Sequence, residues 1–451
     1  MTLQETIGET VSVMYKKFNT PYIGVYILHN PLLIIKDPRL IKHVLVNDFD
    51  YFYDRYVLAH KKSDSMSASM MFFAKNPEWK FIRKKFSPVF SSGKLKKMFY
   101  LIKEMGIDMI SYLNLNVDNN SVDIKEICGK FSTNVITSCA FGLNAHSFQN
   151  HNAPFRKYAR MMFDNNLKNG FYQSCYFVAH TLVKLFNFPF FDREATNFLR
   201  QVFWESVSLR EHTEEIRGDV IDVIREVKND SRPNDEIIFE GDNVVAQAGQ
   251  FFSAGFETVS SSLTFALYEL SFNVNIQQRL RSEINEKLEQ YKELNYECLQ
   301  SMTYLSMVID ETLRKYPVVP SMNRVCSQDY NVPNSDLILS KGIPIFISIL
   351  GVHNDPQYYP NPQVFDPDRF SDDNKKSIAP FTYMPFGEGP RNCMGARFAL
   401  LTLKVGLAKI ISNYEITACV DTPKTIEFSP RTVFLTSKSN IPLHLKKIPK
   451  N

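Results

Sequence analysis

The sequence predicts a mainly α fold: one large helical domain over residues 1–451, with a small β-rich lobe from about 1–60 and 320–350. Helical spacing dominates from about residue 77 to 315, with few Gly or Pro interruptions. β-Branched runs are confined to the first sixty residues (YIGVYIL, LLIIKD) and to about 323–350 (NRVCSQDYNVP, LILSKGIPIFISI). Neither a repeat nor a Gly/Ser linker divides the chain, and 36 Phe with 21 Tyr in 451 residues can fill a deep core.

The opening MTLQETIGETVSVMYKKF is polar and holds no apolar core of secretory length, so the chain as given reads as soluble or peripheral. Tyr22 to Ile35, broken by His29, Asn30 and Pro31, predicts two short strands around a turn, and Pro38 to Asp48 a short helix. The polar run VKNDSRPNDE (227–236) is the clearest exposed loop. A helix from about Gly241 to Phe272 would span ~45 Å at ~1.5 Å per residue. From about Pro356 to Pro390 the chain is Pro- and Asn-rich and irregular; a loop that long is functional or disordered, and its aromatics argue against disorder.

A net charge of +4, from 52 Lys and Arg against 48 Asp and Glu, is too small for a surface that coats nucleic acid. Seven cysteines without a C-x-x-C argue against a disulfide framework or zinc ribbon, and six read as packed thiols. The seventh, Cys393, stands in FGEGPRNCMG just before an amphipathic helix whose apolar positions are Met394, Phe398, Leu401, Val405 and Ala408. A helix N-terminus favours a thiolate. Gly387 and Gly389 let backbone approach a flat group, Phe386 offers a ring to it, and Gly395 removes bulk from the same side. With no His nearby in sequence to act as a base, the residues leave an axial haem ligand and a buried structural thiol both open.

FGEGPRNCMG resembles the haem-binding loop of cytochromes P-450, the haem-thiolate monooxygenases, and further stretches match that family in the expected order. Glu311 and Arg314, otherwise an ordinary i, i+3 ion pair, resemble the family's buried pair, joined by Arg369 of Pro367-Asp368-Arg369-Phe370 to pin the loop beneath the haem. Ala254-Gly255-Phe256-Glu257-Thr258 reads either as a Gly at a helix crossing with a self-bonded Thr, or as the family's oxygen pocket. In the second reading the helix opens at Gly255, Ala254 lies against the haem, and Thr258 with Glu257 delivers protons. Trp79, Arg83, Arg324 and Arg391 match positions that hold the haem propionates.

The resemblance covers nearly the whole chain, and Asp48-Phe49-Asp50 with Asp54-Arg55, Ser138-Cys139-Ala140-Phe141-Gly142 and Phe365-Asp366-Pro367 look most like insect microsomal members of the xenobiotic-metabolising group. It implies haem b with Cys393 as the iron ligand, and one oxygen atom of O2 inserted into a lipophilic xenobiotic, plant toxin, hormone or fatty acid. The resemblance also implies electrons from NADPH through a reductase carrying FAD and FMN. Seven cations and no acid lie between Trp79 and Lys97; Lys80, Lys84, Lys85, Lys94, Lys96 and Lys97 are either a solvated face or the docking patch for that reductase, and for cytochrome b5. Substrate contacts are expected at Phe251, Phe252, Val318, Val319, Thr432, Val433 and Phe434, positions that also suit plain core.

The implied location is peripheral, on the cytoplasmic face of the endoplasmic reticulum membrane, with the family's anchor helix and Pro-rich hinge missing from the start of the chain. CYFVAHTLVKLFNFPFF (175–191) reads as a core helix or as a substrate-channel lid dipping into the bilayer. Two rival functions are a haem-thiolate isomerase or dehydratase acting on a lipid hydroperoxide, and a non-catalytic haem or ligand-binding protein.

Overall fold

The computed structural model describes residues 5–27, 30–117, 121–150, 152–213, 215–229 and 239–449. It is mainly helical, and its axis is the 31-residue helix Asp242–Phe272, whose residues from Val259 to Ser271 are all buried. Alongside runs Ile124–Phe141, buried continuously from Ile127 to its end. The two approach closely at Gly255, where a Cβ would overlap Ile136 Cδ1. That contact accounts for the glycine without any opening of the helix, which runs unbroken through Gly255; the expected opening is corrected here. Ile124–Phe141 ends at Gly142 in the left-handed conformation (φ +69°), where a side chain would meet Arg210 and Asp219.

The strand-rich segments near the start of the chain and at 321–348 share one sheet. Tyr22–Ile27 pairs antiparallel with Asn30–Ile35, which runs parallel to Pro344–Ser348, and Ser321–Val325 closes the sheet antiparallel to the latter. Helix Ile7–Lys17 lies against this sheet, and its Tyr15 donates to Asp355 Oδ2 at 2.7 Å. Pro38–Lys42 is helical and continues as a wider turn to Asn47. Of the polar run 227–236, Val227 to Asn229 end the helix Val220–Asn229, and 230–236 lie outside the described residues.

The irregular stretch before Cys393 holds only two short turns of helix, Pro367–Phe370 and Asp372–Lys375. Side chains fix it. Glu311 and Arg314, on helix Thr303–Lys315, are fully buried and bonded through two N–H donors at 2.7 Å each. Glu311 Oε1 also accepts from the Asp366 backbone at 3.0 Å and lies 3.5 Å from Arg369 Nε, while Arg314 Nη1 donates to the His353 carbonyl at 3.0 Å. Burial pushes the Glu311 carboxyl up, and the Arg314 guanidinium pulls it back. These three residues therefore tie a helix to the loop that leads to Cys393.

Candidate active site

Backbone turns set the position of Cys393. Gly387 N–H donates to Met384 O (3.0 Å), Asn392 N–H to Gly389 O (3.0 Å), and Cys393 N–H to Phe386 O (2.8 Å). Gly387 and Gly389 have φ of +70° and +75°, and a Cβ on Gly389 would overlap the Leu45 carbonyl oxygen. Gly395 caps helix Ala396–Asn413, so Cys393 sits two residues ahead of the cap. Its thiol opens onto a cavity and is enclosed on its other sides. That enclosure pushes its pKa up, while the Gly395 N–H and the guanidinium groups of Arg83 and Arg55 pull it down.

The cavity measures about 390 Å³. One wall is the Cys loop, with Phe386, Met394 and Gly395; the opposite wall is a single stripe of the long helix, with Ala254, Gly255, Thr258, Val259 and Ser262. Four guanidinium groups line the same space: Arg55, Arg83, Arg324 and Arg391. Arg391 Nη2 donates to Asp54 Oδ1 (3.2 Å) and to Ala74 O (2.9 Å), and its guanidinium stands 4.3 Å from the Trp79 ring centre. Arg324, on the strand Ser321–Val325, donates from Nη1 to Asn323 O at 2.8 Å.

Burial, reinforced by mutual repulsion, pushes Arg391 down to about 8 and Arg324 to about 9; burial with Arg83 nearby pushes Arg55 to about 10. Arg324 Nε and Arg391 Nε and Nη1 are buried with no hydrogen-bond partner among the described residues. A pocket that holds orphaned cationic donors is built for an anion.

A family model described as Cytochrome P450 matches residues 2–444. The chain belongs to the cytochrome P450 family. It is similar to Cytochrome P450 6k1 of Blattella germanica, 41% identical over 458 residues that cover 98% of this chain and 87% of the relative. Probable cytochrome P450 6g2 of Drosophila melanogaster is 37% identical, with 99% and 90% covered, and Cytochrome P450 6j1 of Blattella germanica is 36% identical, with 98% and 88% covered. The protein is thus an oxidoreductase, a haem-thiolate monooxygenase.

The residues of this P450 fit a haem. The Cys393 thiol faces the cavity from one wall, and the orphaned N–H groups of Arg324 and Arg391 match the two carboxylates that such a group carries. Arg83 lines the cavity, but its guanidinium is spent on the Cys loop, donating to Asn392 O and Asn392 Oδ1 at 2.6 Å each. Trp79, buried, acts through Arg391, whose charged face it supports. Arg55 escaped the reading of site residues: its Nη2 donates to Arg391 O at 3.1 Å, and its guanidinium stacks 4.6 Å from the Phe72 ring. The signal was there in the adjacent Asp54-Arg55, since Asp54 accepts from Arg391 and from the Asn76 N–H.

The acid and alcohol of the long helix part company. Thr258 lines the cavity and donates to Ala254 O at 2.6 Å. Glu257 does not line it: the carboxylate accepts from Ser261 at 3.1 Å, with Arg156 and Lys125 as nearby cations, and burial pushes its pKa up. Among expected substrate contacts, Val318, Val319, Val433 and Phe434 line the cavity. Phe251 lines it too, but its ring packs between Phe90 and Phe398, at 5.6 and 5.1 Å, on the side of the Cys393 helix. Phe252 and Thr432 are corrected. Phe252 turns the other way, into the core against Phe141 and Phe155, because neighbouring residues on a helix point about 100° apart. Thr432 faces a separate small pocket and spends its hydroxyl on Ser429 O and Phe434 O.

The cationic run is partly neutralised by acids distant in sequence. Lys94 pairs with Glu226 at 2.9 Å, Lys96 pairs with Glu297, and Lys85 lies over the Phe81 ring. Lys80, Lys84 and Lys97 are exposed. The apolar stretch 175–191 divides into the end of helix Leu167–Val178, the short helix His180–Phe186 and a loop. Leu185 and Phe186 face solvent, 68% and 59% exposed, while Phe190 and Phe191 are buried and line the cavity. Among the described residues no helix is long and apolar enough to cross a membrane.

Proposed function

We propose that this P450 oxygenates an uncharged lipophilic small molecule, with electrons from NADPH delivered by a flavin reductase. The cavity carries the reading: beyond its arginines its walls are mainly apolar and aromatic, with Phe163, Phe177, Phe190, Phe191 and Phe434 in one cluster of rings. An anionic substrate would compete for the arginines, and a strongly polar one would lose its hydration unpaid.

When bound, haem supplies oxygen activation and atom transfer, and Cys393 is its ligand. The protein supplies the rest. Arg324, Arg391 and Arg55 hold the carboxylates, and the aromatic walls exclude water and orient the substrate by shape. Thr258, whose hydroxyl faces the cavity from the long helix, holds a proton at Oγ1, and the half-buried Glu257, one residue before it, is the reservoir behind it. Lys80, Lys84 and Lys97 present the docking face for an acidic reductase, and cytochrome b5 would use the same face. Leu185 and Phe186 rest on the cytoplasmic surface of the endoplasmic reticulum membrane, from which lipophilic substrates enter.

The test is turnover of the purified protein with reductase, NADPH and a lipophilic ligand that shifts its absorption spectrum. The expected product carries one atom from labelled O2. Turnover with a lipid hydroperoxide alone, and none with NADPH and reductase, would favour an isomerase instead.

A further inference from the structure

One carboxylate outside the haem site joins two walls of the cavity. Asp64 is the N-cap of the short helix Ser65–Ser69: its Oδ1 accepts from Ser67 N–H at 2.9 Å, and its Oδ2 from Ser67 Oγ at 2.6 Å. The same Oδ2 accepts from the backbone N–H groups of Phe190 and Phe191, at 3.2 and 3.3 Å, across 126 and 127 residues of sequence. Asp64 is buried, and so are both phenylalanines, which line the cavity. On the other side of the carboxylate, the Ser65–Ser69 helix leads into Met70, Met71 and Phe72, which also line it. That side is anchored to the long helix: Gln247 Nε2 donates to Ser69 O at 3.0 Å and Phe72 N–H to Gln250 Oε1 at 2.9 Å.

Among the described residues the loop bearing Phe190 has three other polar ties to this wall, one of them a long contact of Ser63 Oγ with Asn187 Oδ1 at 3.5 Å. Leu58 N–H donates to Tyr176 O at 2.9 Å, and Ser63 Oγ to Val183 O at 3.3 Å, both upstream of the phenylalanines. At Phe190 and Phe191 themselves Asp64 takes both N–H groups, Gln173 Nε2 donates to Phe190 O at 3.4 Å from the loop's own side, and ring contacts complete the seal: Phe190 with Phe73 at 4.8 Å and Phe191 with Phe163 at 5.7 Å.

We propose that Asp64 is a positioning residue that decides which ligands the cavity admits and how long it keeps them, by latching the Phe190-Phe191 backbone to the Ser65–Ser69 helix. A carboxylate suits this task because one oxygen accepts several N–H groups at once, and hydrogen bonds to a charged acceptor are the stronger kind. Released, the loop lets the two rings turn away from the cavity, and large ligands feel the change more than small ones.

The inference rests on the cavity being the ligand chamber, but its test needs no natural substrate. Asp64→Asn keeps a capping oxygen and turns an NH2 toward the Phe190 and Phe191 N–H groups; Asp64→Ser keeps a good N-cap and cannot reach them. The probes are imidazole and 4-phenylimidazole, which bind haem iron directly and are followed by absorbance in stopped flow, together with hydrogen exchange at residues 188–192. Both variants should lose amide protection at Phe190 and Phe191. Both should release 4-phenylimidazole about tenfold faster, with imidazole changed by less than about twofold. Native exchange at these amides, native release rates, or an equal acceleration for both probes would overturn the proposal. If Asp64→Ser behaves as wild type, Asp64 is a helix cap and nothing more. Failure of the substrate reading would show separately, as absent NADPH-driven turnover in the wild type.

Discussion

The Arg391 guanidinium stands over the Trp79 indole, 4.3 Å from its ring centre, and both residues line the cavity that Cys393 faces. A cation against an indole face in a desolvated site contributes on the order of 1–2 kcal/mol, so Trp79→Leu should weaken haem retention roughly tenfold. Arg391→Gln should weaken it further, since it also removes the buried, unpartnered donors proposed to meet the haem carboxylates. Transfer of haem to apomyoglobin measures both. Equal transfer rates in wild type and variants would refute these roles.

The Glu311–Arg314 pair is fully buried, so each residue needs the other. Glu311→Gln or Arg314→Met should each cost about 3–5 kcal/mol, because the remaining charge is left buried without its partner. The expected readout is loss of soluble, haem-loaded protein with no change in the spectrum of the molecules that do fold. A variant that folds normally but has altered turnover would point to a direct part in the reaction.

His353 makes the same region acid-sensitive. It is fully buried, its Nε2 accepts from the Met384 N–H at 2.8 Å, and burial with Arg314 nearby pushes its pKa down to about 3. The native state keeps it neutral, whereas the unfolded chain protonates it near pH 6.5. Its contribution is therefore present above about pH 6.5 and is lost as pH falls from there toward about 3. Between pH 7 and 5 the wild type should lose about 2 kcal/mol more stability than His353→Gln. Urea midpoints at the two pH values decide it, and identical pH slopes would remove His353 from the account.

On the proposed docking face, ion pairing separates lysines that the sequence presents as equivalent. Lys80→Glu and Lys84→Glu should slow reductase-supported turnover several-fold, most at low salt, while Lys96, already paired with Glu297, should matter less. The check is reduction rate against ionic strength. An equal effect of all three reversals would show that the pairing with Glu297 does not hold in solution.

Much of this site is legible in the sequence, because its chemistry demands particular residues at fixed spacing along one segment. FGEGPRNCMG carries its turns, its ligand and its helix start within ten residues. The sheet lobe is legible for a related reason, since the β-branched runs at 22–35 and 321–348 pair with each other. What sequence could not supply was rotation about a helix and contact across the fold. Phe251 and Phe252 are equally apolar neighbours, and only the azimuth of the long helix puts one on the cavity and the other in the core. Glu257 and Thr258 part for the same reason. The Asp64 contact spans 126 residues and depends on backbone N–H groups, which have no sequence signature.

The central claim is that Cys393 ligates the haem iron as a thiolate. The most direct measurement is the absorption spectrum of the reduced carbon monoxide complex of wild type and Cys393→Ala. The wild type should show the red-shifted Soret band of a thiolate-ligated haem, and the variant should lose that shift completely. A Cys393→Ala protein that retained it would place the ligand elsewhere and contradict the account.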